Sequence, residues 1–188
     1  MERKMMGGAT KTRLAAMLLA ATAAFAASAT DGTLAGSGTA ASPYEIADYA
    51  DLLAFSAKVN GGETNAWAVL TQDINASAST NPATAWTPIA KQGDEIVDCY
   101  TGSFDGGDHV ITGLTYSNAE GHCVGLFGCV GEGGCVHDVG LEGGSITGDT
   151  CVGGVVGINY APSGIFPFTA NSFSSQVFMS FSCTRVGS

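Results

Sequence analysis

Basic residues are scarce in this chain. Its 188 residues hold 7 Lys and Arg against 17 Asp and Glu, and Arg3, Lys4, Lys11 and Arg13 all fall in the first segment. Beyond residue 29, only Lys58, Lys91 and Arg185 oppose 16 acids, a formal charge of 3 − 16 = −13. Such a surface repels phosphate backbones and anionic headgroups, which excludes a nucleic-acid partner. Cys-x-x-Cys is absent, so neither a redox motif nor a zinc ribbon is supported. There is no Gly-x-Ser-x-Gly elbow for a serine nucleophile and no Gly-x-x-x-x-Gly-Lys-Ser/Thr loop for phosphates. The 27 glycines therefore serve backbone geometry. After residue 29 no apolar run approaches the ~20 residues that cross a bilayer.

Residues 1–29 read as a secretory signal peptide. A basic start leads into the apolar stretch Leu14 to Phe25, and Ala24-Phe25-Ala26 or Ala27-Ser28-Ala29 offers a small-residue cleavage site. The competing reading is an uncleaved N-terminal anchor. Cleavage leaves 159 residues (188 − 29), about one domain, secreted or held at the cell surface. Export brings oxidising conditions, so the six cysteines at 99, 123, 129, 135, 151 and 183 permit three disulfides in any of fifteen connectivities. Buried free thiols are the alternative.

Residues 30–42, mostly Thr, Gly, Ala and Ser, read as a flexible leader. The spacing of Leu52, Leu53, Phe55 and Val59 predicts an amphipathic helix over Asp48 to Val59, capped near Ala47-Asp48 and stopped by Asn60-Gly61-Gly62. Such a helix would cover the open end of the repeat structure. From residue 99 onward, short β-prone segments alternate with glycine-rich corners. The phrase Cys123-Val124-Gly125-Leu126-Phe127-Gly128 returns as Cys151-Val152-Gly153-Gly154-Val155-Val156-Gly157, an offset of 28 (151 − 123). A recurring glycine-framed apolar phrase is the mark of stacked repeats. The expected class is all-β: a right-handed parallel β-helix over residues 43–160, with a short N-terminal capping helix. Equivalent repeat positions on adjacent strands lie about 4.8 Å apart, so Cys123 and Cys151 are a possible disulfide. Val124, Val130 and Val136 also recur every six residues, as in a left-handed hexapeptide helix, but the period fails at Glu142. Residues 161–188 lose the glycine spacing and read as an atypical tail, either a final cap or an altered end.

Gly125-Leu126-Phe127-Gly128 and Gly154-Val155-Val156-Gly157 resemble the GLUG motif of bacterial exported repeat proteins. Ser42-Pro43-Tyr44-Glu45-Ile46, Trp86-Thr87-Pro88-Ile89 and the run Gly102 to Ile111 are similar to the lead-in of those proteins. The resemblance, to surface proteins of the haemagglutinin and IgA-peptidase-associated type, covers residues 36 to 159. It implies a right-handed parallel β-helix that forms stalks or binding surfaces, with any enzymatic domain elsewhere in a longer chain.

Asp105, Asp108 and His109 form the tightest ionisable cluster in sequence. They could serve glycan cleavage or bind Ca²⁺, although Asp-Gly-Gly-Asp also has the composition of a turn whose carboxylates bond local amides. His122 and His137, with Cys123 and Cys135, match no zinc spacing. Tyr100, Tyr116, Trp67 and Trp86 could form a sugar-stacking platform or fill the core. No catalytic residue, metal ligand or cofactor is assigned. The expected function is an exported, non-catalytic repeat module presenting its surface for adhesion or envelope scaffolding, with a host or envelope glycan or protein as partner. The alternatives are a small carbohydrate-active enzyme using Asp105 and Asp108, and a fragment of a larger surface protein.

Overall fold

The structure, a computed structural model, describes residues 33–93 and 98–160 and the backbone of residues 177–179. The segment read as a signal peptide and most of the tail lie outside the described residues. The chain is mostly strand with one α-helix, in keeping with the all-β class. Strand β1 (Tyr44–Ile46) leads into α1 (Tyr49–Asn60), followed by β2 (Trp67–Leu70) and β3 (Ile74–Asn75). Two single 3₁₀ turns at Ser77–Thr80 and Pro82–Thr84 precede β4 (Ser103–Thr112). Then come β5 (Thr115–Ser117), β6 (His122–Val124), β7 (Phe127–Val130) and β8 (Cys135–Glu142). The last four are β9 (Ser145–Thr147), β10 (Thr150–Val152), β11 (Val156–Asn159) and β12 (Val177–Met179).

Nearly all strand pairs are parallel. In the largest sheet β1, β2, β4 and β8 lie side by side, with β3 also on β4. Three two-stranded sheets pair β5 with β9, β6 with β10 and β7 with β11. The chain therefore visits four sheets in one order, β4–β5–β6–β7, and visits them again in the same order as β8–β9–β10–β11. Parallel neighbours cannot be joined by a tight hairpin, so each return needs a long excursion. Here the excursion is itself made of strands. Partners lie 28 residues apart at His122↔Thr150, 30 at Thr115↔Ser145 and 32 at Ser103↔Cys135 (150 − 122, 145 − 115, 135 − 103). β12 departs from this scheme and runs antiparallel to β8.

In-register parallel neighbours place equivalent side chains on the same side, so buried residues form rows across the strands. Ala68, Phe104 and Val136 make one such row, and Ile74, Ile111 and Leu141 another; all six are at most 3 % exposed. Aromatic rings join the rows to the helix. Phe55 of α1 lies 5.8 Å from Phe104 and 6.2 Å from Tyr100, and Phe127 contacts those same two rings at 5.2 and 5.0 Å. Leu52, Phe55 and Val59 are the buried apolar stripe of α1, and each is worth about 1.5–3 kcal/mol of burial.

The helix begins where the sequence indicates. The Asp48 carboxylate accepts the Asp51 N–H at 2.9 Å, and the Asp51 carboxylate accepts the Ala47 N–H at 3.0 Å. At the other end Gly61 N–H reaches the Ala57 and Lys58 carbonyls, and Gly62 takes φ +111°. Residues 33–42 differ from the expected flexible leader. Ser37 and Thr39 both donate to the Ser42 carbonyl, and Ala35 bridges Glu45, so the segment folds back on β1. Small polar composition there serves a tight turn: a Cβ on Gly36, at φ +91°, would lie 2.0 Å from the Pro43 carbonyl oxygen.

Phe104 joins a buried row, the helix and β7. Phe104→Ala should therefore lower unfolding free energy by about 3–5 kcal/mol, whereas Asp48→Ala should cost about 1 kcal/mol. Urea titration followed by circular dichroism measures both. A loss below 1 kcal/mol for Phe104→Ala would contradict the core assignment.

Candidate functional site

The parallel register regroups the ionisable residues. Asp105 and His137 are register partners on β4 and β8, so their side chains emerge on the same side. Asp138 should alternate away from His137, but its φ of +52° turns the backbone and brings both side chains together. The Asp138 carboxylate lies 2.8 Å from His137 Nδ1, and Asp105 Oδ1 lies 3.6 Å from the same nitrogen. Among the described residues these three form a group whose donor atoms all fall within 4.8 Å. One imidazole nitrogen and two carboxylate oxygens could hold a divalent cation with its remaining positions open to water. Protonated His137 could equally sit between the two carboxylates as an ion pair.

The other histidines repeat the theme. His109 Nδ1 lies 3.2 Å from Asp73 Oδ1, and the same carboxylate accepts the Val110 N–H at 3.0 Å. His122 Nδ1 contacts Thr150 Oγ1 at 2.6 Å and lies 3.8 Å from Asp149. Each histidine thus faces an aspartate distant in sequence.

Proximity along the chain misled the grouping of Asp105, Asp108 and His109. β4 is one continuous strand, and Asp105-Gly106-Gly107-Asp108 is a bulge within it rather than a turn. Four steps from Asp105 to His109 match two from His137 to Val139. The bulge still binds its own carboxylate, since Gly107 N–H donates to Asp105 Oδ1 at 2.8 Å. That bond ties Asp105 to the backbone instead of leaving it free beside a substrate. Asp108 sits in the bulge at φ +62° and is not in the cation-sized group.

The proposed aromatic platform is also regrouped. Tyr100 and Trp86 are buried; Tyr100 donates to the Ala66 carbonyl at 2.7 Å and Trp86 Nε1 to the Gly125 carbonyl at 3.1 Å. Tyr116 packs half-buried against the core, and Trp67 is half-buried on β2. Stacking rows need large apolar fillers, and the rings supply them. Tyr160, 51 % exposed, is the large exposed apolar side chain among the described residues.

The two glycine phrases do stack. Leu126 N–H donates to the Gly154 carbonyl and Phe127 N–H to the Val155 carbonyl, both at 2.8 Å. Leu126, Phe127 and Val155 are buried, with Val156 packed against them. The glycines permit close approach: a Cβ on Gly128 would lie 2.6 Å from the Ala90 carbonyl oxygen, and one on Gly157 2.7 Å from the Val124 nitrogen. The glycines of these phrases do not carry left-handed φ; Cys123 and Cys151 do, at +51° and +52°. The disulfide, too, differs from the expected pair. Cys99 is bonded to Cys129, Cys135 is disulfide-bonded as well, and Cys123 and Cys151 are thiols.

A 126-residue stretch, 65 % of this chain, is 39 % identical to halomucin of Haloquadratum walsbyi, covering 1 % of that protein. Another of 95 residues, 48 % of the chain, is 34 % identical to a protein of Evansella cellulosilytica named as a Gly-rich membrane protein, covering 10 % of it. The chain thus spans a small part of the curated relatives it matches. No family model and no solved structure matches it. No helix among the described residues is long and apolar enough to cross a membrane.

The Val110 N–H and the His109 ring hold the Asp73 carboxyl below the usual carboxylate range, and the Lys58 ammonium, with Tyr44, does the same for Glu63. A carboxyl depressed in the folded state stabilises above its unfolded pKa, and the effect is lost as pH falls through the folded value. The melting temperature should therefore drop on acidification below about pH 4. Asp73→Asn should make that acid limb shallower while changing little at pH 7 beyond the loss of its exposed contacts. An unchanged limb in both Asp73→Asn and Glu63→Gln would exclude these pairs as its cause.

Proposed function

We propose that this chain is an exported, non-catalytic repeat module of the cell envelope, built as a right-handed parallel β-helix that presents an acidic outer surface for adhesion or scaffolding. The observation that carries this reading is the repeated visit to four sheets in one order, with parallel partners 28–32 residues apart. A chain that circles in this way stacks each circuit on the last, buries a continuous core and leaves an extended outer face. α1 then acts as the cap that closes one end, as terminal repeats require.

Both relatives match over a small share of their length, and one is named as a membrane protein; this supports a module carried by larger envelope proteins. The GLUG resemblance of Gly125 to Gly128 and Gly154 to Gly157 supports the same role. With Tyr100 and Trp86 buried, recognition of a glycan or protein partner would rest on shape and on polar outer side chains, not on those rings.

The mature chain should bind at least one surface glycan or matrix protein in an array screen. It should release no product from the polysaccharides in that array. Asp105→Asn with Asp108→Asn should leave binding within about twofold, since surface substitutions away from a contact change little. Product formation abolished by those two substitutions would replace this reading with that of a carbohydrate-active enzyme.

A further inference from the structure

Cys123 and Cys151 occupy opposed positions on adjacent parallel strands. Thr150 pairs with His122 and Val152 with Val124, so Cys151 lies across from Cys123 between the two registered pairs. Their matching left-handed φ values, +51° and +52°, aim both Cα–Cβ bonds alike. The structure itself contains the oxidised counterpart of this arrangement. Cys99 and Cys129 immediately precede the parallel pair Tyr100↔Val130, stand 4.8 Å apart at Cα and are bonded. Their separation of 30 residues is close to the 28 between Cys123 and Cys151 (151 − 123).

The two thiols differ in access. Cys151 is exposed, whereas Cys123 is buried. Burial, reinforced by a hydrogen bond with Cys151, pushes the Cys123 thiol up to about 12, which makes it a poor first nucleophile.

We propose that Cys123 and Cys151 are a dithiol–disulfide couple that locks β10 onto β6, with Cys151 as the sulfur that reacts first. The oxidant is a low-molecular-weight disulfide. Cys151, as thiolate, attacks one sulfur of that disulfide; its S–S bond breaks, a Cys151 mixed disulfide forms, and one small thiol departs with the proton that Cys151 lost. Cys123 then gives up its proton and attacks the Cys151 sulfur. The mixed S–S bond breaks, the Cys123–Cys151 bond forms, and the second small thiol leaves with that proton. Two protein thiols are oxidised and one small disulfide is reduced to two thiols. The protein disulfide would add a covalent link between strands otherwise held by backbone pairing and by side-chain contacts such as His122–Thr150.

The test uses the full chain and a graded series of oxidised and reduced glutathione. Peptide mapping by mass spectrometry should find a Cys123–Cys151 link that appears and disappears with the ratio, while Cys99–Cys129 persists. Cys123→Ser should trap glutathione on Cys151, whereas Cys151→Ser should leave Cys123 unmodified. Amide exchange in residues 150–159 should slow on oxidation by ~30-fold or more, the low end of what closing such a loop contributes. Cys151→Ser should abolish that difference. The proposal is overturned if the pair stays reduced at every ratio, if Cys151 instead links to another chain, or if Cys123 is the residue modified first. Because each serine variant is read for its modification by mass, the test does not depend on ligand binding.

Discussion

The register of parallel strands governs everything else in this molecule. Each parallel strand must find its partner 24 to 37 residues away (68 − 44, 111 − 74), and its inward side chains must fall on inward side chains there. The rows Ala68–Phe104–Val136 and Ile74–Ile111–Leu141 result from that requirement. The same requirement fixes the exterior: Asp105 meets His137 because their strands are registered, with no need for nearness in sequence. A row is only as good as its worst member, so apolar substitutions of wrong volume are felt on both neighbouring strands.

Polar pairing on the outside is built by departures from regular strand geometry. Asp138 leaves the alternating pattern through a left-handed φ and so reaches His137. The bulge in β4 absorbs two additional residues between Asp105 and His109, and one of its amides binds Asp105. Such irregularities cost conformational energy, and L-residues adopt left-handed φ at an expense that surrounding contacts must offset. They lie where cross-strand side chains converge, while the regular portions of the same strands carry the core.

Much of the fold was legible in the sequence. The helix is marked by its stripe of Leu52, Phe55 and Val59 and by the Asp48 cap, and its observed bounds differ from expectation by one residue at each end. The Cys-Val-Gly phrase states a 28-residue register that β6 and β10 obey and that the neighbouring pairs exceed by one to four residues. The histidine–aspartate groupings were hidden, because they join residues far apart in sequence. Applying that register to all charged residues brings Asp105 within a few positions of His137, and His122 close to Asp149. Tyr100 and Trp86 were ambiguous because composition does not tell an inward ring from an outward one. Positive φ at Cys123 and Cys151 had no warning in residue type, since cysteine carries no strong preference for that conformation, whereas Asp138 is of a type enriched there.

One small irregularity bears on how such chains grow. His122 pairs with Thr150 at a distance of 28, but Phe127 pairs with Val156 at 29 (156 − 127), so the second glycine phrase holds one more residue than the first. The bend between two sheets takes up that residue, and the strands on either side keep their alignment. Gene duplication and unequal recombination need not, therefore, insert units of fixed length. A break at a bend tolerates a gained or lost codon, whereas the same change inside a strand inverts every side chain beyond it. Length variation among descendants of this chain is expected to collect at corners such as Gly153-Gly154 and to spare the strands.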